Sequence, residues 1–137
     1  MTVQDDKLAV SSGSVEYERD LLARVVQSSL NGIMALKAIR SDGGEITDFE
    51  WLLVNFMAEQ MLGQSQQELL GARLLEVVPG DKEGGLFDRY VSVVESGQSM
   101  AHDHHFGNDN HQGWFHITGV KLDDGIVVTF GDITAYK

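Results

Sequence analysis

The stretch Trp51-Leu52-Leu53-Val54-Asn55-Phe56-Met57-Ala58-Glu59-Gln60-Met61-Leu62-Gly63 contains the end of a strand and the start of a helix. Asn55 can cap a helix over Phe56 to Leu62 by accepting a free N–H of its first turn, and Gly63 can close it. Two residues on, Ser65-Gln66-Gln67-Glu68 has the spacing of a capping box, and Gly71 ends that second short helix. Upstream, Ile33 to Arg40 and Ile46 to Asn55 read as the two strands of a hairpin around Ser41-Asp42-Gly43-Gly44. The run Trp51 to Val54 does not alternate between apolar and polar. An uninterrupted apolar run implies that both faces of the sheet are covered there.

Further out, residues 1 to 14 are polar and read as a flexible lead. Val15 to Ser29 carries Leu21, Leu22, Val25 and Val26 at helical spacing, with Glu16, Glu18 and Asp20 early and Arg24 late, so an amphipathic helix is expected before Asn31-Gly32 turns the chain. Leu74, Leu75, Val77 and Val78 form another apolar turn, stopped by Pro79-Gly80. A longer helix is expected from about Glu83 to Ser96, with Leu86, Phe87, Tyr90, Val91, Val93 and Val94 on one face and Gly97 as its stop. Three strands follow: Met100 to Phe106, Gly113 to Leu122, and Ile126 to Ile133. A polar loop over residues 107–111 separates the first two. The order predicts one α+β domain, with an antiparallel sheet and its helices grouped in the middle.

The chain has 137 residues, 42% of them hydrophobic, which suits a single domain with a proper core. Its formal net charge of -11 argues against nucleic acid or an anionic membrane as a partner, since both are polyanions. The absence of cysteine excludes disulfides, thiol catalysis and any cysteine-linked chromophore. No basic start with an apolar run marks a targeting signal, and no run approaches the roughly 18 apolar residues of a membrane helix. A cytoplasmic location is the expectation.

Four segments, in order, resemble the PAS sensor family. Val54-Asn55 with Ala58-Glu59 is similar to its V-N-x-A-x-E, and Leu62-Gly63 with Ser65 to Gly71 to its L-G-x-S-x-E-E-L-x-G. Gly113-Trp114-Phe115 resembles the G-W-F that opens its long fourth strand, and Asp132-Ile133-Thr134 the D-I-T that closes many members. Phe56 departs from the proline often found after the asparagine, a helpful but dispensable residue at a first helical turn. The resemblance implies a five-stranded antiparallel sheet in the order 2-1-5-4-3, with helices on one face able to enclose a ligand. It divides the chain into a lead (1–14), a flanking helix (15–29), a core (30–134) and the start of a linker (135–137). Leu21, Leu22, Val25 and Val26 would then cover the outer sheet face or form a homodimer contact. Candidate cavity residues are Asn55, Met57, Met61, Phe87, Val91, Trp114, His116 and Phe130. Asp132, Ile133 and Thr134 would pass a signal to an effector outside this chain, of histidine-kinase or cyclic-di-GMP type. The competing class is a ligand-free dimerisation module.

The five histidines, His102, His104, His105, His111 and His116, fall close together. If the hairpin paired Phe106 with Trp114, His104 would face His116, and neutral imidazoles so placed could bind a transition metal. A polar outer strand and loop is the favoured reading and no metal is expected, since no further carboxylate or cysteine stands at matching spacing. Haem-binding family members ligate iron from the long middle helix, which has no histidine here, and the cysteinyl-flavin photosensors need the cysteine this chain lacks. Non-covalent flavin stays open through Trp51, Trp114, Asn55 and Asn31. No phosphate loop, nucleophile elbow or H-E-x-x-H is present, so no enzyme is expected. The remote enzymatic alternative is a small lyase or isomerase with His116 as its base.

Overall fold

The computed structural model describes residues 15–107 and 112–136. The expected lead and all but Gly107 of the polar loop, with His111, lie outside them. Helix α1 (Val15–Ser28) leads into strands β1 (Gly32–Arg40) and β2 (Ile46–Val54). Helices α2 (Phe56–Leu62), α3 (Gln66–Leu69), α4 (Leu74–Val77), α5 (Gly80–Glu83) and α6 (Leu86–Ser96) follow. Strands β3 (Met100–Gly107), β4 (Gln112–Lys121) and β5 (Gly125–Asp132) complete one antiparallel sheet in the order β2-β1-β5-β4-β3, and a 3-10 turn (Thr134–Tyr136) ends the described chain.

The local signals in the sequence act as expected. The Asn55 side chain accepts the Ala58 N–H, Gly63 takes a left-handed φ of 72° and returns its N–H to Glu59, and Ser65 and Glu68 complete the capping box. The inner face of the sheet and the helices share one core, built around Trp51, Phe49, Tyr90, Leu36, Leu74, Leu86, Ile117 and Val128. Phe49 meets Phe87 and Tyr90 edge to face, at centroid distances of 5.7 and 6.2 Å.

Three expectations are corrected. First, the non-alternating run of β2 is a β-bulge and not a doubly covered strand. Ala35 pairs with Leu53 but Leu36 pairs with Trp51, so Leu52 is the extra residue. The bulge turns both Trp51 and Val54 inward and leaves Leu52 and Leu53 55% and 39% exposed. Second, the middle helix starts at Leu86, not Glu83. Gly85 adopts φ 85°, a left-handed conformation that breaks the helix and leaves Gly80–Glu83 as a separate turn. Third, the β3–β4 register places His104 opposite Phe115, and Asp103 opposite His116.

α1 forms over the expected residues but buries none of them, so it does not cover the outer sheet face within the chain. Its hold on the core is at its C-terminal end. The Asn55 amide donates to the carbonyls of Val26 (2.9 Å) and Asn31 (3.0 Å), while its oxygen accepts from Ile33 (2.9 Å) and Ala58 (2.8 Å). The Gln27 side chain receives the N–H of Phe56 at 2.9 Å. Among the described residues, no helix is long and apolar enough to cross a membrane.

Candidate functional site

Between the inner sheet face and the helices lies a cavity of about 920 Å³. Met34 on β1, Trp51 on β2, Ile117 on β4 and Phe130 on β5 form its sheet wall. Met57 and Met61 on α2, Leu74 and Val77 on α4, and Leu86 on α6 form its helical wall. Trp51 is held in place by its indole N–H, which lies 3.2 Å from the Met34 sulfur. The exposed residues Leu30, Asn31, Gln60 and Asp132 mark its open side.

Two polar groups reach the apolar interior. Asp81, on α5, is only 4% exposed, and Tyr90, on α6, is fully buried. Both line the cavity. Their polar atoms meet the cavity surface: among the described residues no side-chain nitrogen or oxygen that is fully shut off lacks a hydrogen-bond partner. Desolvation pushes the Asp81 carboxyl up to about 7, because burial penalises the charged form. Burial first, and the Asp81 charge second, raise the Tyr90 hydroxyl well above its ordinary range. Among the described residues, no lysine, arginine or histidine stands on the cavity wall.

At the open side, the Asp132 carboxylate accepts from the Thr134 N–H (2.9 Å) and hydroxyl (2.5 Å), which hold it below its usual range. The same Thr134 oxygen accepts the N–H of Trp114 at 3.1 Å, and Ile133 donates to the Trp114 carbonyl at 2.8 Å. The cavity rim and the start of the last turn are thus one hydrogen-bonded unit with β4.

The sequence-derived candidates divide among different places. Met57, Met61 and Phe130 line the cavity. Asn55 is buried but serves as the junction of α1, β1 and α2, while Phe87 and Val91 pack in the core away from the cavity wall. Trp114 lies on the outer sheet face with its ring 5.0 Å from that of His105. His116 is on that face too, exposed, with Nδ1 2.7 Å from the Asp103 carboxylate. It therefore cannot act as a base in the cavity.

The three metal candidates also separate. His102 and His104 share the inner face of β3, with ring nitrogens 3.3 Å apart, whereas His116 points the other way. Desolvation lowers the affinity of both inner histidines for a proton, with Arg89 adding to it. Among the described residues no group of three or more His, Asp or Glu side chains is placed to hold a metal. The four residues considered for flavin do not converge either: Trp51 and Asn31 line the cavity, but Trp114 and Asn55 do not.

Asp81 and Tyr90 are the site residues that sequence reasoning missed. Tyr90 was legible as core, and its hydroxyl gave no sign of facing a cavity. Asp81 follows Pro79-Gly80 and reads as a turn residue. Only the break at Gly84-Gly85, which folds α5 back against α6, puts its carboxyl inside.

The family model described as the PAS fold matches residues 47–137. The chain belongs to the PAS family. Solved structures share the fold. An RNA-binding light-oxygen-voltage receptor is similar with a TM-score of 0.71 at 13% identity, over 98% of this chain; the chain spans only 38% of that receptor. The PAS domain of a protein from Colwellia psychrerythraea matches with a TM-score of 0.61 at 21% identity, over 86% of this chain and 98% of that one. A domain of the sensory box sensor histidine kinase/response regulator from Geobacter sulfurreducens matches with a TM-score of 0.59 at 15% identity, over 85% and 95%. At such identities the likeness is one of fold. No curated protein sequence matches the chain. As a PAS domain the chain is of a generally sensory, non-catalytic kind.

Proposed function

We propose that this PAS domain takes a small molecule into the cavity between sheet and helices and passes the difference between its empty and filled states to a covalently linked effector. The observation that carries the reading is the cavity itself. It opens to solvent on one side, and its volume of about 920 Å³ falls in the range of ligand pockets. Asp132 links occupancy to output, since it stands on the cavity rim and its hydrogen bonds set the direction in which the chain leaves β5. An effector of histidine-kinase or cyclic-di-GMP type, acting in the cytoplasm, is the partner we infer. The named kinase domain among the similar structures supports that inference. Native mass spectrometry with an absorbance spectrum on purified protein tests the reading: a bound mass released on denaturation is expected, and a clean apo form would count against it.

A second reading, a ligand-free homodimerisation module, has its own observation. Leu52, Leu53 and Val120 leave apolar surface exposed on the sheet, and Leu22 and Val25 do so on α1. A clean apo dimer in the same experiment would favour it.

A further inference from the structure

We propose that the cavity recognises a largely apolar molecule carrying one basic nitrogen, held as an ammonium by the Asp81 carboxylate and the Tyr90 hydroxyl oxygen. The inference rests on the ligand-binding reading above and names the ligand class. A carboxyl that is only 4% exposed, on a cavity wall with no lysine, arginine or histidine among its described residues, is held in a desolvated place that penalises its charge. An ammonium would supply a countercharge and hydrogen-bond donors, while the rings of Trp51, Phe115 and Phe130 on the same wall suit its apolar body. The other acid of the lining, Asp132, already has its donors in Thr134 and stands at the open side. An anionic molecule would meet two carboxyl groups and no cation.

The pH behaviour separates an ammonium from a neutral hydrogen-bond acceptor. An ammonium selects the ionised carboxyl, so its affinity rises as Asp81 loses its proton; a carbonyl-type ligand needs the protonated form and weakens over the same range. With the Asp81 carboxyl at about 7, the ionised fraction grows about tenfold from pH 6 to pH 8. The charged and titratable groups on the elements packed against α5 are Glu76 on α4, Asp88, Arg89, Tyr90 and Glu95 on α6, and His104, whose ring lies against Gly84. Of these only Tyr90 lines the cavity.

The test is calorimetric titration of the whole chain with tryptamine and with its neutral counterpart tryptophol, at pH 6 and pH 8. Tryptamine is expected to bind at least tenfold more tightly than tryptophol at pH 8, with an affinity about tenfold lower at pH 6. Asp81→Asn, checked for folding by circular dichroism, is expected to remove both the preference and its pH dependence. The pH series on the unmodified protein stands even if the variant folds poorly. Equal affinity for the two probes, or a preference that survives in Asp81→Asn, would overturn the Asp81 assignment while leaving the cavity reading intact. Binding of neither probe would overturn both.

Discussion

Asn55 and Asp81 are both buried polar side chains, and they stand in opposite situations. Asn55 satisfies both side-chain polar atoms twice over, within the chain. Asn55→Ala would take the acceptor from the Ile33 and Ala58 N–H groups and one donor each from the Val26 and Asn31 carbonyls, Val26 keeping the Ser29 N–H at 3.4 Å. A loss of about 3 kcal/mol or more in denaturant unfolding is expected, with α1 detached from the core. Asp81 stands on the cavity wall instead, and desolvation raises its folded carboxyl from 3.8 to about 7. A group that holds its proton more tightly folded than unfolded makes stability fall as pH rises from about 4 to about 7. Between those limits the protein is expected to lose up to about 4 kcal/mol relative to Asp81→Asn, measured as the difference between their unfolding free energies at each pH. A constant difference would show that the carboxyl is not desolvated. Of these two residues only Asn55 was legible beforehand, because a cap is written in three or four neighbouring positions, whereas burial of Asp81 depends on how α5 folds back.

Among the elements, those with chemical punctuation were read to within a residue or two: α2 between Asn55 and Gly63, α3 with its capping box, and the hairpin turn at residues 41–44. The errors came where the deciding interaction is non-local. The apolar run of β2 is compatible with double burial or with a bulge, and only pairing with β1 decides between them. Accordingly Trp51→Ala is expected to destabilise by about 3–5 kcal/mol, while Leu52→Thr, on the bulge, should stay within about 1 kcal/mol of the original protein. Comparable losses at both positions would contradict the bulge. The β3–β4 register shows the same limit. A shift of one residue between the expected and the observed pairing gives His116 Asp103 as its partner in place of His104, and sets the two histidines on opposite faces. Arg40 shows a long-range tie that no local pattern announced: its guanidinium joins Asp124 in the β4–β5 turn (2.8 Å) and Glu95 at the end of α6 (3.2 Å).

At the scale of the whole molecule, element order implies an antiparallel α+β domain, while the strand order and the one-sided helical layer were legible only through the family resemblance that four short motifs carry. The motifs could not locate the cavity wall, because apolar residues that line a void and those that fill a core look alike in sequence. The outer face raises a separate question. If it associates with a second copy, Leu22→Asp with Val25→Asp should convert a dimer to a monomer in sedimentation velocity and remove the dependence of the unfolding midpoint on protein concentration, since neither residue is buried in the chain. An unchanged association state would remove α1 from any interface. The central claim is that cavity occupancy is felt at the C-terminal exit, and amide chemical-shift mapping with indole as an apolar probe tests it most directly. Shifts are predicted around Trp51, Tyr90 and Phe130 that continue through Asp132 to Thr134 and into Trp114. Shifts that are absent, or that stop short of Asp132, would contradict it.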